Sequence, residues 1–172
     1  MRESVKQYYG EVLSTSADLK TDACSTDSAL PGFLKPILGQ IHDEVMTRYY
    51  GCGLVVPEQM KGLKVLDLGC GAGRDVYAIS AMVGEEGHVV GLDMTPEQLA
   101  VARQHQDYHA KQFGYASSNV SFVEGTIEGL GDLEFEPNCF DVIVSNCVIN
   151  LVEDKPAVLK AIFKLLKPGG EF

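Results

Sequence analysis

In the run Val65-Leu66-Asp67-Leu68-Gly69-Cys70-Gly71-Ala72-Gly73-Arg74-Asp75, an apolar stretch delivers the carboxylate of Asp67 to a loop with glycine at every second position. Another acid, Asp75, opens the helix that should follow. Glycines so spaced let backbone come close to a nucleoside, because a Cβ at Gly69, Gly71 or Gly73 would take the ligand's space. The next strand-like run, His88-Val89-Val90-Gly91-Leu92, ends on Asp93, whose carboxylate can accept both hydroxyls of a ribose. Together these residues describe a site for an adenosine-type cofactor. A dinucleotide loop would want its third glycine at position 74, for close packing of helix on strand. Arg74 stands there instead, and Gly73 completes Gly-x-Gly-x-Gly. The pattern selects S-adenosyl-L-methionine over a nicotinamide or flavin dinucleotide.

Thiols and imidazoles are the other reactive groups. The five cysteines, Cys24, Cys52, Cys70, Cys139 and Cys147, contain no Cys-x-x-Cys pair, which argues against a structural zinc knot. On residue type alone each reads as a small buried hydrophobe. His105 and His109 sit one helical turn apart, a metal-ligand spacing, but among Gln104, Gln106, Asp107 and Lys111 they read as a solvated helix face.

The elements that must position these groups follow from periodicity. Residues 1–53 read as helical, with one helix over Val5–Leu13 and another over Ile37–Tyr50 capped by Gly51. A polar loop or lid from Thr21 to Gly32 carries Cys24. From Leu63 the pattern alternates strand and helix, predicting a parallel sheet with right-handed crossovers. Helices are expected over Asp75–Val83, Pro96–Phe113 and Lys155–Leu166, the second opened by Thr95 as N-cap with Gln98 closing a capping box. Strands three and four are expected over Val120–Glu124 and Phe140–Ser145. Ligands in such sheets bind outside the carboxyl ends of the strands, where Asp67, Gly69, Asp93, Glu124 to Glu128 and Ser145 to Asn150 would gather.

The expected fold is thus an α/β, Rossmann-like parallel sheet over residues 56–172, preceded by a helical or lid segment over residues 1–55. Glu171-Phe172 reads as the start of a fifth strand, so the sheet is expected to be incomplete after the fourth strand and its helix, leaving that strand's edge unpaired.

Composition bounds the partners. Net charge is −10, from 14 basic and 24 acidic residues. That balance disfavours binding to nucleic acid, which needs basic surface to neutralise phosphates. Glu124, Glu128, Asp132, Glu134 and Glu136 read as a solvated loop face. No apolar run approaches the roughly 20 residues that cross a bilayer, and the N-terminus lacks a secretory signal's apolar centre. Small-molecule or protein substrates and a cytoplasmic location are the expectation.

Several segments resemble the arsenite methyltransferase family. They are Tyr8-Tyr9-Gly10-Glu11-Val12-Leu13, Ser16-Ala17-Asp18-Leu19-Lys20-Thr21 with Cys24, Arg48-Tyr49-Tyr50-Gly51-Cys52-Gly53, and Ser145-Asn146-Cys147-Val148-Ile149-Asn150-Leu151. The similarity runs over the whole chain, corresponds to the N-terminal portion of a family member, and implies that the sheet is that of a Rossmann-like class I methyltransferase. It implies transfer of methyl groups from S-adenosylmethionine to thiol-bound trivalent arsenic, giving methylated arsenicals. It matches Cys24, Cys52 and Cys147 to three of the family's four functional cysteines, as arsenic ligands and catalytic groups. The fourth lies beyond Phe172, so this chain by itself is expected to be poorly active. Soft, pyramidal arsenic(III) suits thiolates. An external thiol, glutathione or a thioredoxin-type reductant, would restore the cysteines, with arsenite or methylarsenite as substrate.

The cofactor contacts implied are Gly69, Gly71 and Gly73 through backbone, Asp67 and Asn146 at the methionine end, Asp93 on the ribose, and Met94, Ile127 and Glu128 around the adenine. Tyr49 and Tyr50 either close over the cofactor or pack in the core. Two other readings stay open: a methyltransferase for a small organic or quinone acceptor, and a non-catalytic module that binds cofactor or arsenic without turnover.

Overall fold

The computed structural model describes residues 32–49, 51, 53–54, 56–57 and 59–172. The expected helix over Val5–Leu13, the loop carrying Cys24, and Tyr50 and Cys52 lie outside the described residues.

Apolar runs give four parallel strands, β1 (Lys64–Leu68), β2 (His88–Asp93), β3 (Val120–Glu124) and β4 (Phe140–Ser145), and the polar, mostly exposed segment Leu166–Glu171 adds a fifth, β5. Their spatial order is β3-β2-β1-β4-β5. The chain therefore runs outward from β1 to β3, returns, and lays β4 on the other side of β1. That reversal between β1 and β4 is the topological switch point, where the strand ends open a crevice.

Both sheet faces are covered, as a parallel sheet requires. Val65, Val89, Val120, Phe122 and Val142 point to one face, into a cluster with helix α3 (Arg74–Val83) and helix α4 (Pro96–Gln104). Leu66, Leu68, Val90, Leu92 and Ile143 point to the other, against Val158, Ile162 and Leu165 of helix α6 (Lys155–Leu165). Each such side chain contributes about 1.5–3 kcal/mol when fully buried. By strand alternation Asp67 and Asp93 share the α3 face.

Four expectations about elements need correcting. The predicted helix over Ile37–Tyr50 is two short helices, α1 (Leu34–Leu38) and α2 (Asp43–Thr47), broken where Gly39 caps α1 and the His42 ring accepts from Glu44 N at 3.2 Å to start α2. Their apolar residues Leu34, Leu38, Ile41 and Val45 join the α3-side core. The helix predicted over Pro96–Phe113 is interrupted at His105, giving α4 and α5 (Gln106–Phe113). Thr95 makes no cap with its side chain; that hydroxyl bonds the Asp93 carboxylate instead. Finally, the edge of β4 is covered, because β5 spans Leu166–Glu171 and pairs with it in parallel, bulging between the Phe140–Leu166 and Val142–Glu171 pairs.

The two histidines are a further correction. His109 is buried, stacked on the Tyr77 ring at 3.5 Å between centroids. Its Nδ1 donates to His105 O at 2.7 Å, and its Nε2 accepts from His42 N at 3.2 Å. His105 is also buried, stacked on His42 and paired with Glu44 at 2.8 Å. Their polar sequence neighbours concealed this, because the face covered by α2 is contributed from far along the chain.

Candidate cofactor and substrate cleft

The glycine loop hangs from the ends of β1 and β2. Gly69 N and Cys70 N donate to Leu92 O at 2.7 and 3.0 Å, so the loop is stapled to the neighbouring strand. Gly71 N donates to Asp93 Oδ2 at 2.8 Å, and Thr95 N to Asp93 Oδ1 at 2.9 Å. A carboxylate can accept about four hydrogen bonds, so Asp93 can hold the loop and still meet a ligand. Burial pushes its carboxyl above the usual range, against the opposing effect of these N–H donors.

The three loop glycines answer different needs. At Gly71, where φ is 54°, an added Cβ would meet nothing within 4 Å; its amide faces Asp93 and the cleft. Gly73 has φ 88° and caps α3, and a Cβ there would press on Phe122 and Ala102 at 3.1 and 3.3 Å. Gly69 allows Val148 to approach, since a Cβ would fall 2.7 Å from that side chain. Gly73 therefore supports the loop from behind, and it is absent from the cleft wall, which includes Gly69, Cys70 and Gly71.

One cleft at the switch point is lined by Asp67, Asp93, Met94, Ile127, Glu128, Asn146 and Cys147. Burial, then the nearby carboxylates of Asp75 and Asp93, raise Asp67 well above the ordinary carboxylate range. Glu128 is half-buried in this wall, whereas Glu124, Asp132, Glu134 and Glu136 are exposed. Cys70 is buried, and burial pushes its thiol up; with Gly91 beneath it, it fills a core position. Cys139 is half-buried beside the α6-side core.

Cys147 differs from both. It is a half-buried cysteine on the cleft wall, and its backbone adopts φ 61°. A non-glycine residue in that left-handed region is held there by its surroundings at a cost of about 1–2 kcal/mol. Cys24 and Cys52, the other two candidate ligands, are outside the described residues.

A polar network that no sequence motif announces joins Tyr49, Asp75 and Asn146 in the cleft wall. Asn146 Nδ2 donates to Tyr49 Oη at 2.7 Å, to Asp75 Oδ2 at 3.1 Å and to Gly53 O. Tyr49 Oη donates to Gly53 O at 2.5 Å. Burial pushes the Tyr49 hydroxyl up to about 12, with Asp75 adding to the effect. A Cβ on Gly51 would strike the Tyr49 hydroxyl and approach Asn146 Nδ2 to 2.8 Å, so glycine at 51 makes room for the folded-back ring and caps no helix. Arg74 lies over that ring, its guanidinium 3.7 Å from the centroid. Arg74 and Asp75 also line the cleft. The charged pair that opens the helix after the glycine loop is the sequence signal for this arrangement.

Comparison with known proteins agrees with this geometry. Residues 59–172 match the family described as a methyltransferase domain. The arsenite methyltransferase of Aquipseudomonas alcaligenes is 59% identical over 99% of this chain and 49% of that protein. The human arsenite methyltransferase is 48% identical over 99% of this chain and 46% of its own length. The crystal structure of an arsenic(III) S-adenosylmethionine methyltransferase from Chlamydomonas reinhardtii superposes with a TM-score of 0.80 at 45% identity, covering 83% of this chain and 48% of that one. The chain thus spans about half the length of the curated relatives it matches. A switch-point cleft under a Gly-x-Gly-x-Gly loop, in a sheet that this family's domain matches from end to end, makes the chain a member of the methyltransferase-domain family.

Proposed function

We propose that this chain binds S-adenosylmethionine and takes part in transferring its methyl group to trivalent arsenic held by cysteine thiolates. The observation that carries the reading is that Cys147 lines the same cleft as the Gly69–Gly71 loop and Asp93.

The residues present fit the cofactor. At Gly71 the backbone leaves space where any side chain would stand. Asp93 at the tip of β2 suits the ribose, Met94, Ile127 and Glu128 the adenine, and Asp67 and Asn146 the methionine end. Buried carboxylates on one wall favour a cationic ligand over an anionic one. The cofactor supplies a methyl group already activated on a sulfonium, so this chain needs no general base.

What the protein contributes is position. Cys147, as thiolate, would hold arsenic so that its lone pair faces the cofactor side of the cleft. Its fixed left-handed backbone limits where the sulfur can go. Cys24 and Cys52 would complete a three-sulfur set suited to a soft, pyramidal centre. An external thiol, glutathione or a thioredoxin-type reductant, would release the product and keep the cysteines reduced. That need for thiols fits a cytoplasmic setting. Arsenite and methylarsenite are the substrates this assigns. Residues 1–55 would supply Cys24 and Cys52 to a cofactor domain over residues 56–172. Among the described residues no helix is long and apolar enough to cross a membrane.

The test is label transfer from methyl-labelled S-adenosylmethionine, in thiol, to arsenite or to a demethylated quinol. Label on arsenic supports the reading; label on the quinol alone supports the organic-acceptor alternative. Cofactor binding without transfer to either acceptor supports the binding module.

A further inference from the structure

We infer that Tyr49 is a positioning residue for arsenic: its hydroxyl straps the backbone next to Cys52 to the residue preceding Cys147, so that both thiols serve one metalloid. This rests on the arsenic reading above and assigns the group that brings those two ligands together.

Cys52 itself lies outside the described residues, but Gly51 and Gly53 on either side of it in sequence are placed. Tyr49 Oη donates to Gly53 O at 2.5 Å and accepts from Gly53 N at 3.0 Å, so one hydroxyl serves both polar groups of that glycine. The same oxygen accepts from Asn146 Nδ2 at 2.7 Å, and that amide also donates to Gly53 O. Asn146 immediately precedes Cys147. Burial pushes the Tyr49 hydroxyl up to about 12, so it stays protonated and both donates and accepts. Room for the strap is made at Gly51, where a Cβ would strike the Tyr49 ring and hydroxyl.

Cys147 is anchored on its other side as well. Val148 seats so closely on Gly69 that a Cβ there would fall 2.7 Å from its side chain. Cys147, with its left-handed backbone, is thus gripped between the cofactor loop and the glycines that flank Cys52. A pyramidal arsenic(III) centre needs its thiolates close together. Ligands distant in sequence bind it better when the scaffold holds them in register beforehand. Tyr49 supplies that register, because three of the four hydrogen bonds joining residues 49, 53 and 146 use its hydroxyl.

The test is arsenite binding to the fully reduced 172-residue chain, read by calorimetry, in a double-mutant cycle of Tyr49→Phe with Cys52→Ser. Tyr49→Phe should weaken arsenite binding about tenfold when Cys52 is present. Once Cys52 is serine, the same change should cost less than about twofold. An unchanged arsenite affinity in Tyr49→Phe would overturn the inference. So would an equal loss in both backgrounds, which is what a merely structural role predicts. Should Tyr49→Phe not fold, Gly51→Ala, which displaces the same hydroxyl, takes its place in the cycle. Failure of the wild type to bind arsenite, or undiminished binding in Cys52→Ser, would instead remove the arsenic reading beneath it.

Discussion

The amide of Gly71 and the carboxylate of Asp93 meet at 2.8 Å, joining the glycine loop after β1 to the tip of β2. One acid thus shapes the loop and also faces the cleft that the loop borders.

Replacing Asp93 by alanine should weaken S-adenosylmethionine binding by about 1–3 kcal/mol, the size of lost hydrogen bonds to a charged group. Calorimetric titration reads this directly. An unchanged dissociation constant would reject Asp93 as a ribose ligand.

Tyr49 and Asn146 should behave as a coupled unit, since the amide donates to the hydroxyl at 2.7 Å and both bond Gly53. Tyr49→Phe and Asn146→Ala should each destabilise the chain. The double variant should fall short of their sum by about 0.5–3 kcal/mol. Strict additivity in urea unfolding would show the two residues to act independently.

The left-handed backbone at Cys147 separates stability from function. Cys147→Gly should remain within about 1 kcal/mol of wild type, or exceed it, because glycine relieves the φ 61° strain. Cys147→Ser keeps the strain and loses the soft ligand. Thermal unfolding would contradict this if the glycine variant were destabilised by more than about 2 kcal/mol.

His109 predicts a pH dependence of stability. Burial holds its pKa down to about 4 from an ordinary 6.5, opposed by the carbonyl of His105. A histidine depressed in the folded state takes up protons more readily when unfolded. Its contribution is complete above pH 6.5 and is lost as pH falls toward 4. After allowance for solvent screening the effect is on the order of 2 kcal/mol. The charges facing it are those of His42 and His105, with Glu44 beyond. Urea unfolding at stepped pH should show a smaller loss over that window in His109→Gln than in wild type; equal slopes would assign the dependence elsewhere.

The core of the fold was legible because strand alternation is local. Val120–Glu124 and Phe140–Ser145 begin and end where their apolar periods do. So too the strand tips: Asp67, Asp93, Ile127, Asn146 and Cys147 share a cleft because parallel topology sends all carboxyl ends to one side. What escaped the sequence depends on contacts between distant residues. His105 and His109 sit in a polar-looking helix, yet α2 covers them. Gly51 resembled a helix cap but answers to the Tyr49 ring. Arg74 reads as mere bulk in the sequence, yet its guanidinium is buried over the ring of Tyr49, far upstream.

The most direct test of arsenic meeting the cofactor at Cys147 is arsenic-edge X-ray absorption on the chain with arsenite and saturating S-adenosylmethionine. Wild type should show three sulfur neighbours on arsenic, as Cys24, Cys52 and Cys147 provide. Cys147→Ser should lose one of them while binding the cofactor with undiminished affinity. An identical sulfur shell in both proteins would contradict the account.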